Sequence, residues 1–474
     1  MKEAQPALSP FTDPTRSPVW KVLALTWPAL IYQFLHLCVT LWDRFISGRF
    51  LADNGVSQLA IQSAQTTSQY FSWLISSYSV LVSVGSTALL ARFFGAGDFR
   101  MARSVVNHSM WIGASLGLIA SVAGLAMTPW LLPWLGLEGE AGTAASDFLF
   151  YIFLFLPFQM VESAGIACFT GAGDTKTGLY VLGGVALINI PLALFLATGF
   201  GPIPAMGFPG IALGTALSHA LGGIAVGLFL IRGKSGLLWE WKNLPDMALA
   251  RRILRISFPA GMDSLSIGFG QFIFLGIINR LGAAASGAHG IALGWEALGY
   301  LSGGAFGTAA ISLVGLNLGA GQPKEAARCG WTAYFLGAGF MSLMGALFFF
   351  LAEPMFLLFC PDPSQAPIIK EGAPVLRLIA FAMPFLASCI IMASALRGAG
   401  DTRVPVMYTW IGFFLLRVPA ALILARPVEN ALGLNSNFAY GLLGAWMAMF
   451  LDLFARGLML LWRFYRGAWA HIRV

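Results

Sequence analysis

The chain has 474 residues, of which 58% are hydrophobic and only 10% charged, with a mean hydropathy of +0.76. Soluble domains carry about 25% charged residues, so this composition excludes a soluble protein and points to a polytopic helical membrane protein. The net charge of +7 is no nucleic-acid footprint, because in a membrane protein the placement of Lys and Arg outweighs their sum.

A transmembrane barrel is disfavoured too: its strands alternate over about ten residues and give a far weaker hydropathy signal. The 55 glycines suit closely packed membrane helices. Five cysteines, at 38, 168, 329, 360 and 389, show neither CxxC nor metal-ligand spacing, so neither a disulfide framework nor a metal centre is implied.

In chain order, residues 1–19 are polar and proline-rich, lack a signal-peptide pattern, and read as a short cytosolic tail. Apolar segments follow near 20–46, 57–93, 104–128, 146–170, 178–199 and 208–231, which make an N-terminal lobe over 20–231. A polar, amphipathic connector over 232–252, with Trp239, Trp241 and Leu244 among charges, is expected to lie along the membrane interface. Six more segments, near 253–280, 285–318, 328–352, 372–396, 405–425 and 439–465, make a C-terminal lobe over 253–474.

With twelve spans both termini lie on one side. Most of the 28 basic residues fall in the loops and tails of that side, Arg100, Lys176, Arg397 and Arg403 among them. The positive-inside rule makes it cytoplasmic, and the expected location is a cell inner membrane.

The halves repeat. Trp27-Pro28-Ala29 returns as Phe258-Pro259-Ala260, Gly95-Ala96-Gly97 as Gly319-Ala320-Gly321, and Leu156-Pro157-Phe158 as Met383-Pro384-Phe385. Gly171-Ala172-Gly173-Asp174-Thr175 returns as Gly398-Ala399-Gly400-Asp401-Thr402, and Gly207 with Gly210 as Gly441 with Gly444. The fold expected is all-α: twelve transmembrane helices in two pseudo-symmetric six-helix bundles around a central cavity. The GAGDT loops lack a Walker ending and read as tight turns in which Asp caps the next helix.

The first span, Trp20 to Gly48, carries Asp43 near one end. His36 lies within about 20° of it on a helix, and Gln33 and Thr40 share the same broad face. A carboxylate at the bilayer centre costs about 3 kcal/mol on the mild insertion scales and marks a functional site by default. The alternative is a snorkelling end residue beside Arg44 and Arg49.

The second span bears a polar stripe of Gln58, Gln62, Gln65, Gln69, Ser72, Ser76 and Ser83. Such a stripe must face protein or water rather than lipid, as a cavity lining or as interhelical bonding. Further intramembrane acids are Glu162, Asp263, Glu296 and Asp452, and Arg417 and Arg456 lie in spans eleven and twelve. Glu162 and Glu296 are candidates to attract a cation. Asp452 and Arg456, four apart, suit a structural pair. Asp263, just after Pro259, suits a cap in the first turns of span seven as well as a cavity. Arg417 is free to neutralise any remaining acid. Pro191, two residues after Asn189, marks a candidate bend.

Trp42-Asp43-Arg44-Phe45-Ile46-Ser47-Gly48, the GAGD turn after the second span, the GAGDT turns after the fourth and tenth, and the Gly207–Thr215 stretch together resemble the multidrug and toxic compound extrusion family of secondary transporters. The resemblance runs from about residue 20 to 465. It implies a V-shaped, two-lobed fold with alternating access, exporting organic, usually cationic, small molecules against inward movement of protons or sodium. It implies no other cofactor. The first-span coupling acid of that family maps onto Asp43, and the Asn and Thr of its cation site map onto Asn189 and Thr215. Its second acid is replaced here by Ala193, so a sodium site, if present, centres on Asp43. The acid pair of spans seven and ten is unmatched.

The partners expected are therefore a small organic molecule and the lipid bilayer, with no nucleic acid and a monomeric state. A lipid or lipid-linked oligosaccharide flippase of the same superfamily is the first alternative, and scarce mid-span Lys and Arg speak against it. A membrane-embedded enzyme is the remote one, since neither HExxH nor a His/Asp cluster is present.

Overall fold

The structure is a computed structural model and describes residues 10–49, 58–134, 137, 139–199, 201, 204–240, 246–360, 365–425 and 440–472. Among these there is no strand, and twelve helices are long and apolar enough to cross a bilayer. They are α1 (Pro18–Arg49), α2 (Gln58–Gly95), α3 (Phe99–Trp134), α4 (Gly139–Gly171), α5 (Thr175–Thr198), α6 (Phe208–Ile231), α7 (Met247–Asn279), α8 (Ala283–Gly319) and α9 (Pro323–Phe350). The last three are α10 (Ala366–Gly398), α11 (Arg403–Ala425) and α12 (Gly441–Tyr465). A helix satisfies its backbone groups internally, which a chain in hydrocarbon requires.

The chain divides into two units, one of Met1–Asp13 with Trp27–Gly261, the other of Pro14–Thr26 with Met262–Val474. The divisions inside α1 and α7 fall beside the repeated prolines, Pro28 and Pro259. In the first unit α4 is central, packed on α2, α3 and α6; in the second its repeat partner α10 packs on α8, α9 and α12. The only lysine of α1, Lys21, is fully buried in the second unit and lies 3.9 Å from Glu325.

The glycine-rich turns are built alike. Gly97, Gly173, Gly321 and Gly400 all take φ between 70° and 86°, a conformation in which only glycine is unstrained. Asp174 caps α5 by accepting from the Thr177 backbone N–H at 3.0 Å, and Asp98 does the same for Met101 at 3.0 Å. The second copy departs from the capping expectation: the Asp401 carboxylate accepts from Arg463 at 2.8 Å, and no side chain caps α11.

Three expectations are corrected. Helix α7 begins at Met247, so Met247 to Arg252 is helix rather than connector, and Asp263 sits well inside the helix instead of in its first turns. Arg397 lies within α10, not in a loop, and pairs with Asp263, because α10 runs on to Gly398. The described part of the connector is tied to protein: the Glu240 N–H donates to Asn107 Oδ1 at 2.8 Å and the Asp246 N–H to His108 Nε2 at 2.6 Å. Trp241 and Leu244 lie outside the described residues.

Candidate functional site

In the first unit, α1, α2, α4 and α6 surround a cavity of about 220 Å3. Asp43, His36 and Thr40 reach it from α1, Gln65, Gln69 and a row of serines from α2, and Thr215 and His219 from α6. The α2 stripe therefore lines a cavity at Gln65, Gln69, Ser72 and Ser76, joined by Ser68, while Ser83 is not in the lining. The side chains of Gln58 and Gln62 lie outside the described residues. Gln33 is half-buried and absent from the lining.

Asp43 lies beside a small polar pair. Asn189, 1% exposed on α5, donates through Nδ2 to the Thr215 hydroxyl at 2.9 Å, and Thr215 lines the same cavity as Asp43. Two acceptor oxygens remain buried and unpartnered, Asp43 Oδ1 and Asn189 Oδ1. An ionised carboxylate is acceptor-only, so this arrangement is ready for a proton or cation. The helix is pinned beside it: the Trp42 indole N–H donates to the Ile190 carbonyl at 2.8 Å, just before Pro191. Ser47 bonds Gln65 across α1 and α2.

Sequence reasoning missed His219. It sits one turn beyond Thr215, and its Nδ1 lies 2.7 Å from Glu162 Oε2. The i, i+4 spacing to Thr215 was the available signal. Glu162 is 2% exposed and does not line the cavity; it orients His219 instead. A carboxylate at Nδ1 makes that nitrogen the donor and leaves Nε2 as the one that exchanges a proton. Gly222 makes this possible, since a Cβ there would stand 2.4 Å from Glu162 Oε1. Ala193, where a second acid was sought, is fully buried against Gly214, whose Cβ would fall 2.7 Å from the Ala193 Cα. Close backbone packing of α5 on α6 takes the space a carboxylate would need.

A second cavity, of about 150 Å3, lies in the second unit. Asp263, Glu296, Arg397, Arg417 and Arg456 all line it. Arg417 and Arg456 converge on one oxygen of Asp452, at 2.6 and 2.9 Å. The expected Asp452–Arg456 pair is thus present, and Arg417 has found its acid. Gly412 gives the carboxylate room, as a Cβ there would meet Asp452 Oδ1 at 2.0 Å.

The MatE family model matches residues 28–195 and again 259–423, once in each half. The chain belongs to the multidrug and toxic compound extrusion (MATE) family. Among curated relatives, the probable multidrug resistance protein NorM of Thermotoga maritima is 27% identical over 458 residues, covering 95% of this chain and 92% of the relative. The multidrug resistance protein PmpM of Pseudomonas aeruginosa is 26% identical over 476 residues, covering 97% and 93%. Among solved structures, a MATE in complex with MaL6 superimposes with a TM-score of 0.85 at 18% identity, covering 96% of this chain and 97% of the other. The bent form of the Vibrio cholerae MATE transporter VcmN gives 0.82 at 17%, covering 95% and 97%. These likenesses establish the two-lobed, twelve-helix MATE fold.

Proposed function

We propose that this MATE protein is a proton-coupled antiporter that exports organic cations, with Asp43 as the coupling carboxylate. The observation that carries this reading is the buried, unpartnered Asp43 Oδ1 at a polar cavity. Substrate cation and proton compete for this charge: the ionised acid favours the cation-loaded state and the protonated acid the emptied one. A ligand shifts a two-state equilibrium only by its differential affinity, and a single acid that is charged in one state and neutral in the other supplies that difference. The multidrug names of the curated relatives support a small organic substrate.

Protons are preferred to sodium because the sodium-type second acid is Ala193, while His219 and His36 line the same cavity. The concentration of Lys and Arg on one side of the spans supports insertion in a cell inner membrane with both termini cytoplasmic. The test is efflux of a fluorescent organic cation from proteoliposomes under a pH gradient and separately under a sodium gradient. Wild type driven by the pH gradient, with Asp43→Asn at background, supports the reading. Sodium-only drive moves the coupling to sodium, and an active Asp43→Asn removes Asp43 from it.

A further inference from the structure

We infer that the cavity of the second unit is a binding site for an organic carboxylate, distinct from and independent of the Asp43 reading. Three arginines line it, Arg397, Arg417 and Arg456, against two acids, Asp263 and Glu296. Arg397 is engaged with Asp263. Arg417 and Arg456 share a single oxygen of Asp452, so two guanidiniums are served by one carboxylate. Among the described residues no ion pair within 4.0 Å reaches Glu296.

The donors are under-used as well. A guanidinium carries five N–H groups in a planar fork that matches a carboxylate bidentately. Arg417 is 2% exposed, yet its Nε and Nη1 are buried without a partner, and so are Arg397 Nε and Arg456 Nε. A buried, unpaired polar group costs about 1–3 kcal/mol, more when charged, and a cavity lined by several such donors is satisfied by an anion. Arg417 is held for this task by stacking on Phe413, 4.0 Å from its ring centroid.

The local backbone points the same way. Two of the five helices that line the cavity widen into π turns beside it, Ser388–Met392 in α10 and Ile411–Arg417 in α11, and such segments cluster at functional sites. Aligned on their prolines, one residue out of the register of the GAGDT turns as the wide turn Ile411–Arg417 allows, Asn189-Ile190-Pro191 of α5 matches Arg417-Val418-Pro419 of α11. The position that presents an amide beside Asp43 presents a guanidinium here. A space of about 150 Å3 holds a benzene-sized group, so the class expected is a small aromatic carboxylate.

The test is equilibrium dialysis of radiolabelled benzoate against the purified full-length chain with no gradient present, which reads binding whatever becomes of coupling at Asp43. Benzoate is expected to bind saturably, with benzyl alcohol and benzylammonium at least tenfold poorer as competitors. Arg417→Lys, which keeps the charge but loses the fork, should weaken benzoate at least tenfold. Glu296→Gln, at a residue in no ion pair, should tighten it about threefold or more by removing a competing negative charge. If Arg417→Lys fails to fold, Glu296→Gln decides. Absence of saturable benzoate binding, equal competition by benzyl alcohol, or unchanged or weaker binding by Glu296→Gln overturns the assignment.

Discussion

Helices α4 and α10 hold equivalent places in the repeat, but what they and their neighbours carry differs in sign. Glu162 of α4 corresponds to Cys389 of α10, and in the register set by Gly207 and Gly441, Gly222 of α6 corresponds to Arg456 of α12. In the first unit the glycine makes room for a carboxylate that orients His219. In the second, an arginine fills the equivalent position and reaches Asp452. One scaffold thus holds an acid and an amide with one open acceptor atom each at one cavity and a cluster of guanidiniums with open donor atoms at the other. Duplication supplied the helices; a handful of substitutions at equivalent positions set the electrostatics.

The contrast predicts that acids in the two units fail differently. Asp452→Ala leaves two buried guanidiniums without a carboxylate, a loss of about 3–5 kcal/mol against a typical total of about 5–15 kcal/mol; no monodisperse protein should survive gel filtration. Asp43→Asn should elute and melt like wild type while gradient-driven efflux falls at least about a hundredfold. Well-folded Asp452→Ala together with misfolded Asp43→Asn would reverse the assignment of structural and functional acids. Asn189→Arg copies the second unit's residue into the first. Its guanidinium would neutralise Asp43, and efflux should fall nearly as far, with folding retained.

Weaker effects come from residues one step removed. Glu162→Gln keeps the shape but removes the charge that holds His219, and is expected to slow efflux about tenfold, the scale of a lost positioning contact. A rate indistinguishable from wild type would make the His219–Glu162 pair purely architectural. The smallest effect belongs to the turns: Asp174→Ala loses a helix cap worth about 1 kcal/mol, read as a small drop in melting temperature with transport unchanged.

Much of this was legible in the residues. Hydropathy marked twelve spans because hydrocarbon tolerates little else, and repeated glycine and proline motifs marked the two halves. Asp43, His36, Gln65, Gln69 and Thr215, named from face geometry and family resemblance, surround one cavity, and Asp452–Arg456 was visible as a one-turn spacing. What stayed hidden was contact between residues far apart in sequence. Nothing local ties Arg397 to Asp263, Arg417 to Asp452 or His219 to Glu162. Ala193 could be read only as a missing acid until its packing on Gly214 showed why the space is closed. The π turns also have no periodicity signal, since one wide turn barely alters an apolar pattern.

The most direct test of the central claim measures protons rather than flux. An organic cation added to the purified protein in weakly buffered detergent solution should release about one proton per cation bound from the wild type, and none from Asp43→Asn, because both ligands compete for one carboxylate. Cation binding by the wild type without proton release, or equal release from Asp43→Asn, would contradict Asp43 as the shared site.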